Sequence, residues 1–107
     1  MSKRPDLVVL HTPPYQPIAN SAHEILQKAH DALAFLEVEA MNKHYTEDEA
    51  LDADEADPNA SEEEQKEWQE KRNARIIHNT RMENVARALH EIVRKLESGI
   101  GALEYYQ

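Results

Sequence analysis

The sequence predicts an all-α protein: an antiparallel helical hairpin that dimerises into a four-helix bundle, with an irregular proline-rich N-terminal arm. Two long segments carry apolar residues at alternating steps of three and four, which is the spacing of one helix face. Between them lies an acidic tract, residues 46–64, with ten acidic residues and no basic residue. One apolar stripe on each helix leaves a lone hairpin with little core, which favours association with a second copy.

Residues 1–20 are predicted to form an extended arm, because they hold four of the five prolines of the chain. Proline lacks a backbone N–H and pushes the preceding residue into an extended conformation. The apolar run from Leu7 to Leu10 allows one short strand at most. The segment Pro14-Tyr15-Gln16-Pro17 also has the spacing of a polyproline-type ligand, although a stiff arm laid over the helices is the simpler interpretation.

The first helix is predicted over residues 21–45. Ser21 and Glu24 form a capping box, in which each side chain satisfies a free amide of the first turn. Leucines then recur among alanines on one face, so that a partner helix can approach closely. The leucines of this predicted oligomer seam are Leu26, Leu33 and Leu36.

The second helix is predicted over residues 61–98, after an acidic connection over residues 46–60. Ser61 and Glu64 repeat the capping signal at its start, and Gly99 and Gly101 are predicted to stop it, leaving a tail over residues 99–107. The apolar seam begins late, so the first half of this helix is predicted to project into solvent, to fray or to meet another surface. The seam residues of the second helix are Met82, Val85, Leu89, Ile92 and Leu96.

The composition restricts the class of protein. A chain of 107 residues is a single domain with a small core, and without cysteine it has neither disulfides nor thiolate metal sites. No apolar run is long enough to span a membrane or to act as a secretory leader, so we expect a cytoplasmic protein. The net charge of −9 disfavours direct binding to nucleic acid or anionic lipid over most of the surface.

The acidic tract accounts for almost all of that charge. Removing its ten acidic residues from the 21 of the chain leaves 11 acidic against 12 basic residues. The tract is interpreted either as a solvated, flexible connection or as an anionic surface that binds a basic partner together with the polar half of the second helix. The predicted binding residues are Asp52, Asp54, Glu55, Asp57, Glu62, Glu63 and Trp68.

No metal and no cofactor is predicted. An EF-hand loop that started at Asp52 would have Ala56 at position 5, and Asp57 at position 6, where the tight turn needs glycine. His23 and His30 lie seven residues apart, but the Glu-x-x-His pairs of di-metal bundles do not occur in the sequence. We therefore interpret these histidines as residues at the boundary with solvent.

One segment suggests catalysis. The run Arg72-Asn73-Ala74-Arg75-Ile76-Ile77-His78 resembles the Arg-polar-His motif of HEPN-superfamily ribonucleases, which are small all-helical dimers. The resemblance implies metal-independent RNA cleavage by Arg72, Asn73 and His78, with the arginine and the histidine flanking the scissile phosphate. Residues six apart on an unbroken helix point about 120° apart, so these side chains converge only if the helix breaks between them.

The favoured function is non-catalytic. We expect a small acidic binding protein that acts as a stoichiometric inhibitor or adaptor of a basic protein or of a nucleic-acid-binding site, of the phage or bacterial accessory type. The expected partners are a basic protein surface and a second copy of the chain, and no enzyme activity is predicted. Two alternatives stay open: the HEPN-like ribonuclease, and a structural subunit that assembles through the apolar seams.

Overall fold

The structure, a computed structural model, describes residues 13–107, and over this range the predicted all-α hairpin is confirmed. Helix α1 covers Tyr15–Ala53 and helix α2 covers Glu62–Glu104. They run antiparallel and pack against each other from Arg72 of α2 onward, and the part of the chain from residue 13 onward contains no strand. Neither α1 nor α2 has an apolar stretch that would let it cross a membrane.

A seven-residue repeat governs the contact between the helices. The buried residues of α2 are Asn79, Ala86, Val93 and Ile100. The buried residues of α1 are Ala19, Ala40, His44 and Leu51. A heptad repeat of this kind keeps one face of each helix against the other along the whole hairpin. Half of the six buried apolar residues are alanines, and no large side chain in residues 13–107 is fully buried, so the core contributes little hydrophobic stabilisation.

Helix α1 begins six residues before the predicted start. Its N-cap is Pro14, which makes no side-chain cap, and Ser21 lies inside the helix, so the capping box predicted there is wrong. Pro17 is tolerated because it falls in the first turn, where backbone N–H groups have no intrahelical acceptor. The predicted arm is therefore helical from Tyr15 onward, and the strand proposed over residues 7–10 lies outside the described residues.

Helix α1 also continues past its predicted end, through half of the acidic tract to Ala53. No glycine or proline interrupts the chain between Pro17 and Pro58, so nothing in the local sequence stops the helix near residue 45. The connection between the helices consequently shrinks to residues 54–61, compared with the predicted 46–60. Because Leu51, near the end of α1, lies against Arg72, the first turns of α2 lie beyond the end of α1.

The start of α2 is as predicted, and its end is not. The backbone N–H of Glu64 donates to Ser61 Oγ at 3.2 Å, which confirms Ser61 as the N-cap. Both glycines, however, lie within the helix and neither has a positive φ. Ile100, between them, is buried against α1, and this packing outweighs the low helix propensity of the glycines.

The open end of the hairpin is closed by aromatic residues. The rings of Tyr15 and Tyr106 meet edge to face with their centroids 5.6 Å apart. Gln16 Nε2 donates to the backbone oxygen of Gln107 at 3.1 Å. These contacts explain why the tail predicted over residues 99–107 is helical to Glu104 and stays beside the first turn of α1.

Substitution of Gly101 by alanine should stabilise the protein. A Cβ at this position would have no atom within 4 Å and the backbone is helical, so the substitution adds helix propensity without a clash. We expect a gain of about 0.5–1 kcal/mol in the free energy of unfolding, measured by urea denaturation followed by circular dichroism. A loss of stability would contradict a continuous helix through this residue.

Candidate functional site

The acidic end of the hairpin, defined as residues 46–64, is held together by two arginines from α2. Arg72 Nη1 donates to the backbone oxygen of Leu51 at 2.8 Å and lies 3.9 Å from Asp54 Oδ2. Arg75 Nε donates to Glu47 Oε1 at 2.8 Å, and its Nη1 lies 3.5 Å from Asp54 Oδ2. The guanidinium groups therefore pin the last turn of α1 and the start of the connection onto α2.

These contacts have a clear electrostatic cause. The C-terminal end of a helix carries unpaired carbonyls and a partial negative charge, which a nearby cation stabilises. The last turn of α1 contains no basic residue of its own and includes Asp52, which worsens the charge balance. Arg72 supplies the missing cation from the other helix, because it reaches the carbonyl of Leu51 directly.

The connection contains a tight turn over residues 57–60. The backbone N–H of Asn59 donates to Asp57 Oδ1 at 2.9 Å, and the N–H of Ala60 donates to the backbone oxygen of Asp57 at 3.1 Å. Aspartate before proline is a common way to start such a turn, since its side chain accepts from the backbone two residues on. Both hydrogen bonds give this part of the tract a defined conformation.

The tract thus divides into two sets of carboxylates. Glu47 and Asp54 contact the arginines, and Asp48 Oδ1 accepts from Asn79 Nδ2 at 2.6 Å. The other seven side chains are exposed and make no ion pair with a residue of the described range. Those seven are Glu49, Asp52, Glu55, Asp57, Glu62, Glu63 and Glu64.

Among the predicted binding residues, three take structural roles. Asp57 shapes the turn of the connection, and Asp54 is part of the arginine contacts described above. Trp68 is half-buried, and the guanidinium carbon of Arg72 lies 5.5 Å from its ring centroid, a cation–π arrangement that holds the arginine in place. Residues 62–71 of α2 are exposed apart from Trp68, which agrees with the predicted polar projection, and polar contacts with α1 begin at Arg72.

The three residues of the HEPN-like segment are not brought together within one chain. Helix α2 is continuous through residues 72–78. Arg72 lines an open cleft of about 280 Å³ beside His44, whereas His78 lines a different cleft of about 180 Å³ beside Lys43. Asn73 Oδ1 accepts a hydrogen bond from Gln69 Nε2 on the exposed surface of α2.

A second set of polar contacts runs along one side of the hairpin. Histidine and carboxylate side chains pair across the two helices four times, advancing by seven residues on α1 and retreating by seven on α2. We call this set the His–carboxylate ladder. Its pairs are His23–Glu104 at 3.1 Å, His30–Glu97 at 3.1 Å, Glu37–His90 at 2.9 Å and His44–Glu83 at 3.3 Å.

The His44 position of the ladder is the most buried. Asn79 Nδ2 donates to Asp48, which turns Asn79 Oδ1 toward His44 Nδ1 at 2.9 Å. The Nδ1 of His44 therefore carries the hydrogen, and its Nε2 faces Asp48 Oδ2 at 3.4 Å and Glu83 Oε2 at 3.3 Å. A buried polar network of this kind is satisfied in one register of the helices only.

Ionisation makes the ladder sensitive to pH at His30. Hydrogen bonds to Asp31 and to Glu97, each 3.1 Å long, raise the pKa of His30 above its usual value of 6.5. The bond to His30 lowers the pKa of the Asp31 carboxyl in turn. Since folding raises the pKa of His30, its contribution to stability is complete below pH 6.5 and is lost as the pH rises through the folded value.

The predicted oligomer seam is divided by the structure. Leu26, Leu33, Met82, Leu89 and Leu96 are half-buried and flank the contact between α1 and α2 of the same chain. The remaining seam residues are largely exposed: Leu36, Val85 and Ile92. Leu36 and Val85 line one groove together, on the side of the hairpin away from the ladder. The periodicity therefore predicts contacts within the chain as well as an uncovered surface.

No group of three or more histidine, aspartate or glutamate side chains within residues 13–107 is arranged to hold a metal ion. Two of the positions considered for calcium show why. Asp52 lies in the last turn of α1, and Asp54 faces Arg72 and Arg75. The carboxylate of Asp54, which an EF-hand loop would direct at its calcium ion, therefore contacts arginine side chains in this structure.

Sequence reasoning identified only the beginning of the ladder. The seven-residue spacing of His23 and His30 was visible in the sequence, and both residues do lie on one helix face. The matching row on α2, at positions 83, 90, 97 and 104, has the same seven-residue spacing. It places a glutamate opposite each histidine of α1 and a histidine opposite Glu37. Aligning the two rows in antiparallel order would have predicted the register of the hairpin.

The chain matches no protein-family model, and neither the curated proteins nor the solved structures include a significant match to it. Interpretation of the acidic end and of the ladder therefore depends on the contacts described above.

Replacing His30 by glutamine should weaken the pH dependence of stability. The wild-type protein should gain stability on acidification from pH 8 to pH 6, and the variant should gain less, because one pair whose strength depends on protonation is lost. Urea midpoints at the two pH values measure the effect. His78→Gln is the matched control, since His78 lies outside the ladder; equal slopes for both variants would contradict the role given to His30.

Proposed function

We propose that this protein is a non-catalytic binding protein whose acidic end binds a basic surface of a partner protein, as an inhibitor or adaptor. The observation that supports the proposal is the division of the acidic tract. Three of its carboxylates stabilise the hairpin, and seven are exposed and form no ion pair with a described residue. That leaves a concentrated negative charge on an ordered end.

Order at this end favours specific binding. Arg72 and Arg75 hold the last turn of α1, Asp57 shapes the turn, and Ser61 caps α2. Carboxylates on such a frame lose less conformational freedom on binding than those on a flexible linker would. The uncompensated charge also speeds encounter with a basic surface and suppresses encounter with acidic ones.

A basic protein suits this surface better than a nucleic acid. Nucleic-acid binding depends on lysine and arginine contacts to phosphates. On the acidic end the two central arginines already contact carboxylates and a carbonyl of α1. Direct contact with phosphate would have to displace them, whereas a lysine- or arginine-rich partner meets free carboxylates.

We also propose that the working form is a homo-oligomer in the cytoplasm, with a four-helix bundle as its smallest unit. Two helices with a core of alanines and a few aliphatic residues give a single chain little stabilisation. The exposed groove beside Leu36 and Val85 supplies apolar surface for a further pair of helices.

Charge neutralisation tests the binding function. Partners would be captured from a bacterial lysate on the immobilised protein, identified, purified and titrated by calorimetry. The triple variant Asp52→Asn, Glu55→Gln, Glu63→Gln should reduce the affinity at least about tenfold, because it removes exposed carboxylates of the acidic end. Wild-type affinity should also fall as the salt concentration rises from about 50 to 500 mM, because salt screens the attraction between exposed charges.

The control variant removes the same charge elsewhere. Glu24, Glu39 and Glu91 are exposed and lie outside both the acidic tract and the polar half of α2, and their replacement by glutamine also changes the net charge by three. The control should retain the wild-type affinity. Equal losses in both triple variants, or an affinity independent of salt, would refute recognition by the acidic end.

A further inference from the structure

The side of the hairpin opposite the His–carboxylate ladder is apolar and uncovered. On α1, Ile18, Ile25 and Leu36 are spaced by seven and eleven residues, which returns a helix to the same face. On α2, Val85 and Ile92 are seven apart. All five side chains are between 46% and 72% exposed. We call this surface the apolar side.

Large aliphatic side chains along one continuous side mark an interface. Their exposure coincides with a shortage of core, since the largest side chains buried inside the hairpin are one leucine and one isoleucine. Alanines at positions 22, 29 and 32 lie near the same face of α1 and let another helix approach closely. The side therefore suits a pair of helices better than a flat or irregular surface.

A second copy of the chain meets this requirement. It offers an apolar stripe of the same length, and its own shortage of core is corrected by the same contact. The ladder would remain on the outside of such a bundle, where its histidines and carboxylates stay in contact with water. Packing the ladder inward would instead bury up to four charged or polar pairs, at a high cost in desolvation.

Charge decides the orientation of the two copies. A parallel arrangement would place two acidic ends side by side, with seven unpaired carboxylates from each. An antiparallel arrangement puts the acidic ends at opposite ends of the bundle and removes this repulsion. We propose that the apolar side is the interface of an antiparallel homodimer, with a two-fold axis near Ala29, the middle of the apolar stretch of α1.

The arrangement has a consequence for binding, which rests on the proposed function of the acidic end. Ala53 lies 24 residues beyond Ala29 along α1, or about 36 Å at 1.5 Å per residue. The two acidic ends of the dimer would then lie about 70 Å apart and project beyond the shared bundle. One dimer could hold two basic partners, or two sites of one large partner, and gain avidity from the link.

Distances between spin labels test the orientation directly. The chain has no cysteine, so a single introduced cysteine is the only labelling site. A label at Asp57→Cys should give a distance beyond about 50 Å, and one at Lys28→Cys, near the proposed axis, should give less than about 30 Å. A short distance at Asp57, a long one at Lys28, or no dipolar coupling at Lys28 overturns the proposal.

Light scattering tests the surface. Val85→Asp should convert the dimer to a monomer, whereas Val38→Asp, on the outer face of α1 and 58% exposed, should leave the dimer intact. A dimeric Val85→Asp variant overturns the assignment of the apolar side. If Val85→Asp loses its helical circular dichroism, the spin-label distances alone decide. None of these measurements uses a partner, so failure of the basic-partner proposal would leave them unchanged.

Discussion

The register between the two helices is the constraint on which the other features depend. Four histidine–carboxylate pairs and the buried contact between His44 and Asn79 are all satisfied in a single antiparallel alignment. Turning α2 by one residue, about 100°, would separate every pair and would move Ala86 and Val93 away from α1. The same alignment brings Arg72 and Arg75 level with the last turn of α1. The ordered acidic end is thus a result of pairing established along the whole hairpin.

The two sides of the hairpin contribute in different ways. Exposed and half-exposed ion pairs stabilise a protein by little, typically less than about 1 kcal/mol each, but they discriminate between registers. Apolar contacts contribute more and discriminate less, since alanine and leucine pack acceptably in several alignments. One side of the hairpin therefore carries the polar pairs that specify the alignment of the helices. The other side carries apolar side chains that remain exposed. This separation keeps the alignment of the helices independent of how many copies associate.

Local signals in the sequence were reliable where nothing distant competed with them. Ser61 caps α2 as predicted because its acceptor and the amide of Glu64 lie in one turn. The signals at Ser21, Gly99 and Gly101 were equally local, but packing at the open end overrode them: Tyr15 meets Tyr106, and Ile100 is buried. Likewise, Arg72 stabilises the last turn of α1 from the other helix, and no pattern within α1 indicates that contact. The fold class follows from periodicity, whereas the ends of the helices follow from tertiary contacts.

In the candidate site, too, tertiary contacts decide what the sequence alone leaves open. Composition alone identifies the tract as anionic, but it cannot separate Asp54, which the arginines hold, from Asp52 and Glu55, which are free. That distinction requires the structure, in which α1 continues to Ala53 beside α2. The arginines of α2 then contact Glu47 and Asp54 and leave the other carboxylates exposed. Neutralising Asp54 would therefore disturb the frame of the site, whereas neutralising Asp52 or Glu55 would change the charge presented to a partner. An anionic surface becomes a specific one when part of its charge is used to fix the geometry of the remainder.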